Sequence, residues 1–513
     1  MSDAGVPHLA PEAFPDRARD VADLLTRYWK SLESRPVTPD MKPGDLLRGL
    51  PASPPETPST DDDSWSGLLG DVERLILPAL THWQSPNFFA YFPANASAPA
   101  MLAELLSAGL GVQGMLWATS PACTELEIRM MDWLAEAIGL PDRFRFDRPG
   151  SVGGGVIQGT ASESTLTALV AARARIIRTL AENSTSVPDD LESLLTVHTS
   201  TQAHSSVIKA AIVAGIARHA DDRRRIRLIE TDEHCRLRPD RLREAMLADI
   251  QDGLIPAFVS ATVGTTATTA IDPIAEIADA IKTVTEITST GAASNANPWL
   301  HVDAAFAGAA CVCPEFRHLL QGIDRVDSLC FNPHKWLLTN FDYDAFWVAD
   351  RRALTDALSI TPEYLRNAAT DAGTIEFRDW HVPLGRRFRS LKLWFVMRHY
   401  GLEGLRQHIR EHVRLAQHFE SLVRADNRFE IVQERNLNLV CFRLRGEGAE
   451  SDAINKRLLD AINETRRIFL THAVLPKEAR PAGGQLFLRM CIASPATRES
   501  HINDAWNLIR SLA

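Results

Sequence analysis

Lys335 lies in Asn332-Pro333-His334-Lys335-Trp336, an apolar and aromatic stretch in which an ammonium group is out of place. Burying that charge is costly unless its pKa falls or a counter-charge is near. A desolvated lysine amine is a nucleophile that can form a Schiff base with an aldehyde. The plainer reading is a surface lysine snorkelling from a half-buried strand. Asp303 ends a second run, His301-Val302-Asp303-Ala304-Ala305. A carboxylate followed by two small residues leaves room for a flat ring and can keep a ring nitrogen protonated, although alone it reads equally well as a cap. The third signal is VIQGTASES (156–164), an apolar strand running through Gly159, Thr160, Ala161 and Ser162 into a helix that carries Leu166, Leu169 and Val170. Backbone N–H groups and hydroxyls at such a helix start form an anion site. Thr160 to Glu163 also fits a capping box, and the glycine pattern is neither Walker nor Rossmann. In the fourth, Gln202-Ala203-His204-Ser205-Ser206, His204 opens a helix, where an imidazole can stack on a ring or merely cap.

Positioning these groups requires strands that end where helices begin. GGGVIQG (153–159), RIRLIE (225–230), AFVSATVG (257–264), WLHVDAA (299–305) and AFWVAD (345–350) are short β-branched or aromatic runs separated by helical stretches, the pattern of parallel βα units. The last 120 or so residues hold strong helices and two predicted strands, FEIVQ and QLFLRMCIA, which suit a smaller α/β domain. Residues 14–33 predict an amphipathic helix, and the Pro- and Asp-rich stretch from Ser34 to Ser64 reads by composition as an extended linker. Residues 288–298 predict a surface loop.

The chain has 513 residues, 45% hydrophobic and 23% charged, with a net charge of -10, enough for two or three domains. The acidic balance argues against nucleic-acid binding. The N-terminus has no basic region followed by an apolar one, and the most apolar stretch, Met101 to Ala118, is broken by Glu104 and Gln113, so neither a signal peptide nor a membrane span is expected. Seven scattered cysteines predict buried free thiols in a reducing cytoplasm, and Cys311-Val-Cys313 has no second ligand pair to complete a metal site.

Taken together, an anion site at 160–162, a stacking histidine at 204, an acid at 303 and a lysine at 335 follow the order found in pyridoxal-5′-phosphate (PLP) enzymes of the aspartate-aminotransferase fold type. With FFAYFP (88–93), WATSPACTELE (117–127), QAHSS, HVDAAFAG, CPEFRHLL, FNPHKWLL, PEYL (362–365) and PLGRRFRSLKLWFV (383–396), the chain closely resembles the aromatic-L-amino-acid decarboxylases. These are the group II PLP decarboxylases, which include the dopa, tyrosine and tryptophan enzymes. The resemblance implies fold type I: a large domain with a mainly parallel seven-stranded sheet (98–391), a small C-terminal α/β domain (392–513) and an N-terminal helical dimerisation arm (1–97). It recasts the Pro-rich segment as part of an arm wrapping a second subunit, in a homodimer with active sites at the interface.

By the same resemblance, Lys335 carries the cofactor aldehyde, Asp303 pairs with the ring nitrogen, and His204 stacks on the ring near the substrate carboxylate. Ala161, Ser162, Asn332 and His334 match positions around the phosphate, and Thr266 matches a further cofactor contact. Arg378 matches an arginine near the mobile loop, and Tyr364 the loop tyrosine that protonates the substrate Cα. Tyr91, Phe92, Pro93 and Ala94 fall where the family lines its aromatic pocket, with Gln113 and Met115 at a rim contributed by the partner. Ala94, Gln113 and Met115 depart from common residues there, and Gly385 resembles the small residue of indole-accepting members, which leans toward tryptophan. The expected reaction is decarboxylation to an arylalkylamine and CO2. An oxidative aldehyde synthase and a non-catalytic dimeric homologue are the alternatives on the same scaffold.

Overall fold

The computed structural model describes residues 9–56, 62–183, 191–288, 297–360, 374–446, 448–476, 479 and 485–513. The N-terminal part contributes helices α1 (Phe14–Ser31), α2 (Asp45–Gly49) and α3 (Asp62–Asp71). α1 stops two residues before the predicted end. The Pro-rich segment that follows is tied to the body: Val37 is fully buried, its N–H donates to Arg466 O at 2.7 Å, and its carbonyl accepts from His82 N at 2.8 Å.

α4 (Ala98–Leu110) and α5 (Pro121–Ile138) show why helices begin and end where they do. Ser97 and Ser120 cap their N-termini by accepting from Ala100 N and Cys123 N, each is followed by proline in the first turn, and each helix stops at a left-handed glycine, Gly111 or Gly139. Alternating elements then build the main sheet: β1 (Gly154–Gln158), α6 (Ala161–Asn183), β2 (Leu195–Ser200), α7 (Ser206–Val213), β3 (Ile226–Ile229), α8 (Pro239–Gln251), β4 (Ile255–Thr262), α9 (Ile274–Thr288), β5 (Trp299–Asp303), β6 (Ser328–Phe331), α10 (Pro333–Trp336) and β7 (Asp344–Val348). The strand order is β1-β7-β6-β5-β4-β2-β3. Neighbours from β6 through β3 pair in parallel, and β7 runs antiparallel between β1 and β6. Leu300, Val302, Leu329 and Phe331 pack into one core on one face, while Phe258, Trp299, Cys330 and Phe346 meet α6 and α7 in the core on the other.

Beyond α11 (Arg352–Leu358), the long helix α12 (Ser390–Ala425) breaks at Gly401, whose φ of 63° and ψ of 173° lie outside helical space. It leads into β8 (Phe429–Ile431), β9 (Leu439–Leu444), α13 (Gly448–Glu464), β10 (Thr471–Val474), β11 (Leu486–Cys491) and α14 (Glu499–Leu512). The small sheet is antiparallel, in the order β10-β11-β9-β8. It has two strands more than the sequence pattern predicts. β9 carries a buried arginine, Arg443, and β10 is half exposed, so neither reads as a plain apolar run.

All seven cysteines are free and buried. None of the described helices is long and apolar enough to cross a membrane.

Candidate active site

Three parallel strands deliver the chemistry to one edge of the sheet. Asp303 ends β5, with Thr262 of β4 and Cys330 of β6 as its cross-strand neighbours. It is buried and accepts from Ala305 N at 2.9 Å. β6 then turns directly into α10: Asn332 N donates to Ala305 O at 2.9 Å, and Lys335 N donates to Asn332 O at 3.0 Å. Lys335 is thereby held one turn beyond the strand that flanks Asp303. Desolvation pulls the pKa of its half-buried ammonium below the ordinary lysine value, while the carboxyl groups of Asp303 and Asp344 oppose that shift. A larger fraction of the amine is therefore in the free-base, nucleophilic form.

His204 precedes α7. Its Nδ1 accepts from Ser206 N at 3.2 Å, which leaves the ring proton on Nε2 in the neutral form. The ring remains exposed, and the desolvation it does feel lowers its pKa; Asp303 pulls the other way and Lys335 adds to the lowering. Lys335, Asp303 and His204 thus feel one another's charge, and the fold brings together what lies 131 residues apart in sequence.

The predicted anion site takes a slightly different form from a capping box. Glu163 reaches back to Gly159 N at 2.8 Å rather than to Thr160, with Glu163 N donating to Thr160 O at 2.9 Å. Ala161 and Ser162 form the first turn of α6, whose 23 residues direct the positive end of the helix dipole at this edge. The Ser162 and Thr266 side chains are exposed. His334 is buried, accepts from Tyr343 N at 3.0 Å, and is pushed down to about 3 by burial, so it is a neutral ring. The buried Asn332 Oδ1 and Thr262 Oγ1 have no hydrogen-bond partner among the described residues. A half-buried lysine amine, a buried carboxylate, a helix start and the unpartnered Asn332 Oδ1 and Thr262 Oγ1 are the kinds of group that a phosphorylated pyridine aldehyde needs, and they fit it.

The aromatic segment 88–95 is stitched to the small sheet and to α10. Phe89 N donates to Phe469 O at 3.1 Å, Phe89 O accepts from Cys491 N at 2.9 Å, and Asn95 N donates to His334 O at 2.8 Å. Phe92 stacks on Phe306 with centroids 3.9 Å apart, and Lys335 Nζ lies 5.7 Å from its ring centre. Pro93 is buried, and Ala94 O accepts from Gln84 at 2.6 Å. Tyr91 points elsewhere: it is 49% exposed and stacks on Trp83. Gln113, Met115, Gly385 and Arg378 form a second group. Arg386 N donates to Gln113 Oε1 at 2.6 Å, a Cβ on Gly385 would come within 3.3 Å of Gln113 Nε2, and Arg378 N donates to Met115 O at 3.2 Å. Tyr364 lies outside the described residues.

Sequence reasoning passed over Asp344, which opens β7 opposite Gln158 of β1. It is fully buried, hydrogen-bonded to Ser164 on α6, and its pKa is raised well above the usual carboxylate range by desolvation, with Asp303 adding and Lys335 opposing. An acid at the mouth of an otherwise apolar strand (DAFWV) was the available signal.

A mainly parallel seven-stranded sheet with a lysine one turn past β6 and an acid ending β5, followed by a small antiparallel domain, defines a fold-type-I PLP enzyme. The profile of the family described as "Pyridoxal-dependent decarboxylase conserved domain" matches residues 43–445, and the chain belongs to that family. It is 46% identical over 502 residues to the aromatic-L-amino-acid decarboxylase of Cavia porcellus, covering 98% of this chain and 97% of that one. It is 44% identical over 500 residues to the phenylacetaldehyde synthase of Arabidopsis thaliana, covering 96% and 94%. Among solved structures, that of Oryza sativa TDC with PLP and tryptamine superposes with a TM-score of 0.90 at 40% identity, covering 99% of both chains. The protein is a PLP-dependent decarboxylase of the aromatic-L-amino-acid group.

Proposed function

We propose that the chain removes CO2 from an aromatic L-amino acid, with tryptophan preferred, to give the arylalkylamine, and that it works as a homodimer. The observation that carries the reading is the Lys335–Asp303–His204 constellation at one sheet edge, in a chain matched over nearly its full length by an aromatic-L-amino-acid decarboxylase. Bound PLP supplies the electron sink for the pair of electrons left at Cα when CO2 departs. Lys335 would hold the cofactor aldehyde. Asp303 would keep the ring nitrogen protonated, and His204 would lie beside the ring and orient the scissile carboxylate. Ala161, Ser162, Thr266, Asn332 and His334 would hold the phosphate end, with Arg378 near the entrance.

Tyr364 delivers the proton to Cα, a contribution typically worth about 10²–10⁴-fold in rate. Phe92, with Pro93 and Ala94 but without the outward-turned Tyr91, forms the aromatic pocket, and the Gln113–Met115 segment with Gly385 forms its rim. The tryptophan preference draws support from Gly385, because any side chain there narrows the space beside Gln113. Purified PLP-loaded protein given Trp, 5-hydroxytryptophan, Tyr, Phe and dopa is expected to release amine and CO2 in equal amounts, fastest with Trp. A higher kcat/KM for Phe or dopa removes the tryptophan preference.

The second reading, an oxidative aldehyde synthase, draws on the 44% identity to phenylacetaldehyde synthase. Stoichiometric peroxide and ammonia with aldehyde as product would select it.

A further inference from the structure

Trp299, His301 and Asp303 alternate along β5 and so share one face of the sheet, the face that meets α6. The β5–β6 register sets His301 beside Ser328 and Asp303 beside Cys330, so the four side chains form a two-by-two block. His301, Ser328 and Cys330 are fully buried, and Trp299 and Asp303 nearly so. Trp299 Nε1 is 2.7 Å from Ser328 Oγ, Ser328 Oγ is 2.8 Å from His301 Nδ1, and His301 Nε2 is 3.8 Å from Cys330 Sγ. Phe258 and Phe346 pack the imidazole from β4 and β7, at 5.9 and 6.2 Å between ring centres.

Donor chemistry fixes the direction of the first of these bonds. An indole N–H only donates, so Ser328 Oγ accepts from Trp299. Ser328 Oγ keeps its own proton, and where that proton is donated to His301 Nδ1, Nδ1 is the bare nitrogen and the ring proton sits on Nε2. Nε2 faces Cys330 Sγ, whose cross-strand neighbour is Asp303. Burial pushes the His301 pKa down to about 4, against the pull of Asp303, so the ring stays neutral at ordinary pH.

We propose that Trp299 and Ser328 lock His301 as its neutral Nε2–H tautomer behind Asp303, making His301 a positioning residue that keeps the ring-nitrogen carboxylate ionised. The proposal rests on the role of Asp303 given under Proposed function. The titratable and charged groups around Asp303 are His204 before α7, His301 on β5, Cys330 on β6, Lys335 on α10 and Asp344 on β7. Of these, the thiol of Cys330 and the carboxyl of Asp344 are both held toward their neutral forms by burial. An N–H dipole from His301 therefore stabilises the anion without adding a competing charge.

Two measurements test this on the full-length holoenzyme. In the first, ¹⁵N-histidine NMR, with the His301 resonances assigned by their loss in His301→Gln, reads the tautomer directly; Nε2–H is expected, and an Nδ1–H or doubly protonated ring overturns the proposal. The second follows PLP retention and the absorbance of bound cofactor against pH. His301→Phe and Ser328→Ala are expected to weaken PLP binding on the order of tenfold. Both should also move the acid-side midpoint for cofactor loss upward by about one pH unit, because Asp303 then protonates more readily. His301→Gln, which restores an N–H, is expected to recover most of both effects. Unchanged midpoints in His301→Phe and Ser328→Ala overturn the proposal if Asp303→Asn still shifts the profile. If Asp303→Asn itself leaves the profile unchanged, the role of Asp303 fails first.

Discussion

Lys335 and Asp344 show how one buried neighbourhood assigns opposite fates to two ionisable groups. Desolvation favours the neutral form of both, so the lysine is driven toward its free base and the acid toward its protonated form. The two carboxyls also differ in their hydrogen bonds: Asp303 accepts Ala305 N–H at the strand end, whereas Asp344 accepts from the Ser164 hydroxyl and its Oδ1 has no partner among the described residues. Asp344→Asn, which mimics the neutral acid, is accordingly expected to change stability by less than about 1 kcal/mol and to leave PLP binding intact, as read by urea denaturation and cofactor absorbance. A charged Asp344 would instead show up as a lowered lysine pKa in that variant. Lys335→Ala should abolish the covalent cofactor band while leaving the fold intact. A band that survives would remove Lys335 from its role.

At the level of elements, the site edge depends on a buried ionic tie. Glu127 on α5 accepts from Ile157 N of β1 at 2.8 Å and from Arg386 Nη2 at 2.6 Å, and the same Arg386 nitrogen donates to Ile157 O at 3.1 Å. Helix, edge strand and the 383–389 segment are thus clamped at one point, with Arg386 also over the Phe377 ring at 4.8 Å. Both charges are buried, so removing one strands the other. Glu127→Ala is expected to cost about 3–5 kcal/mol, visible as a lower urea midpoint and as looser seating of Gln113 and Gly385. Gly264 has a comparable local duty. It turns the chain after β4 at a φ of 90°, and a Cβ there would meet Ala307 at 2.7 Å, just behind the Asp303 strand end.

Across the whole molecule, α4 presents Leu102, Leu105, Leu106 and Leu110 on one helical face, each 49–60% exposed, and Tyr91 and Trp83 are also open on the single chain. Such a face on an otherwise ordinary surface calls for a partner, and a second copy is the proposed one. Leu106→Glu is expected to shift sedimentation from dimer to monomer and to abolish activity together with it. Buried histidines set a second property of the whole. His334 and His381 are pushed down to about 3, and His301 and His412 to about 4, all chiefly by burial. Each stays neutral in the folded chain, while the unfolded chain takes up a proton below about pH 6.5. Their contribution is therefore complete above that pH and drains away as pH falls toward the folded values, at up to about 1.4 kcal/mol per unit for each ring. Asp272, raised to about 7 by burial, and Asp344, also raised, act in the opposite sense but are outnumbered by the four rings. Urea midpoints are expected to fall steadily between about pH 7 and about pH 5. A flat profile would contradict the neutral burial of these rings.

The groups of the candidate site could be picked out along the chain because they sit in short contiguous motifs: a lysine among aromatics, an acid before two alanines, a glycine-hydroxyl turn entering a helix. The alternation of short strands and helices likewise announced a parallel sheet. Tertiary structure alone decided which side chains meet across strands. Strand register is a property of pairing, so nothing in the order of residues places Ser328 against His301, or Asp344 across from Gln158. Register also separates Phe92, seated on Phe306 beside Lys335, from its neighbour Tyr91, turned outward by a left-handed backbone with a φ of 54°. Local sequence chooses the functional groups; long-range packing chooses their partners, because burial and pairing energies are summed over segments hundreds of residues apart.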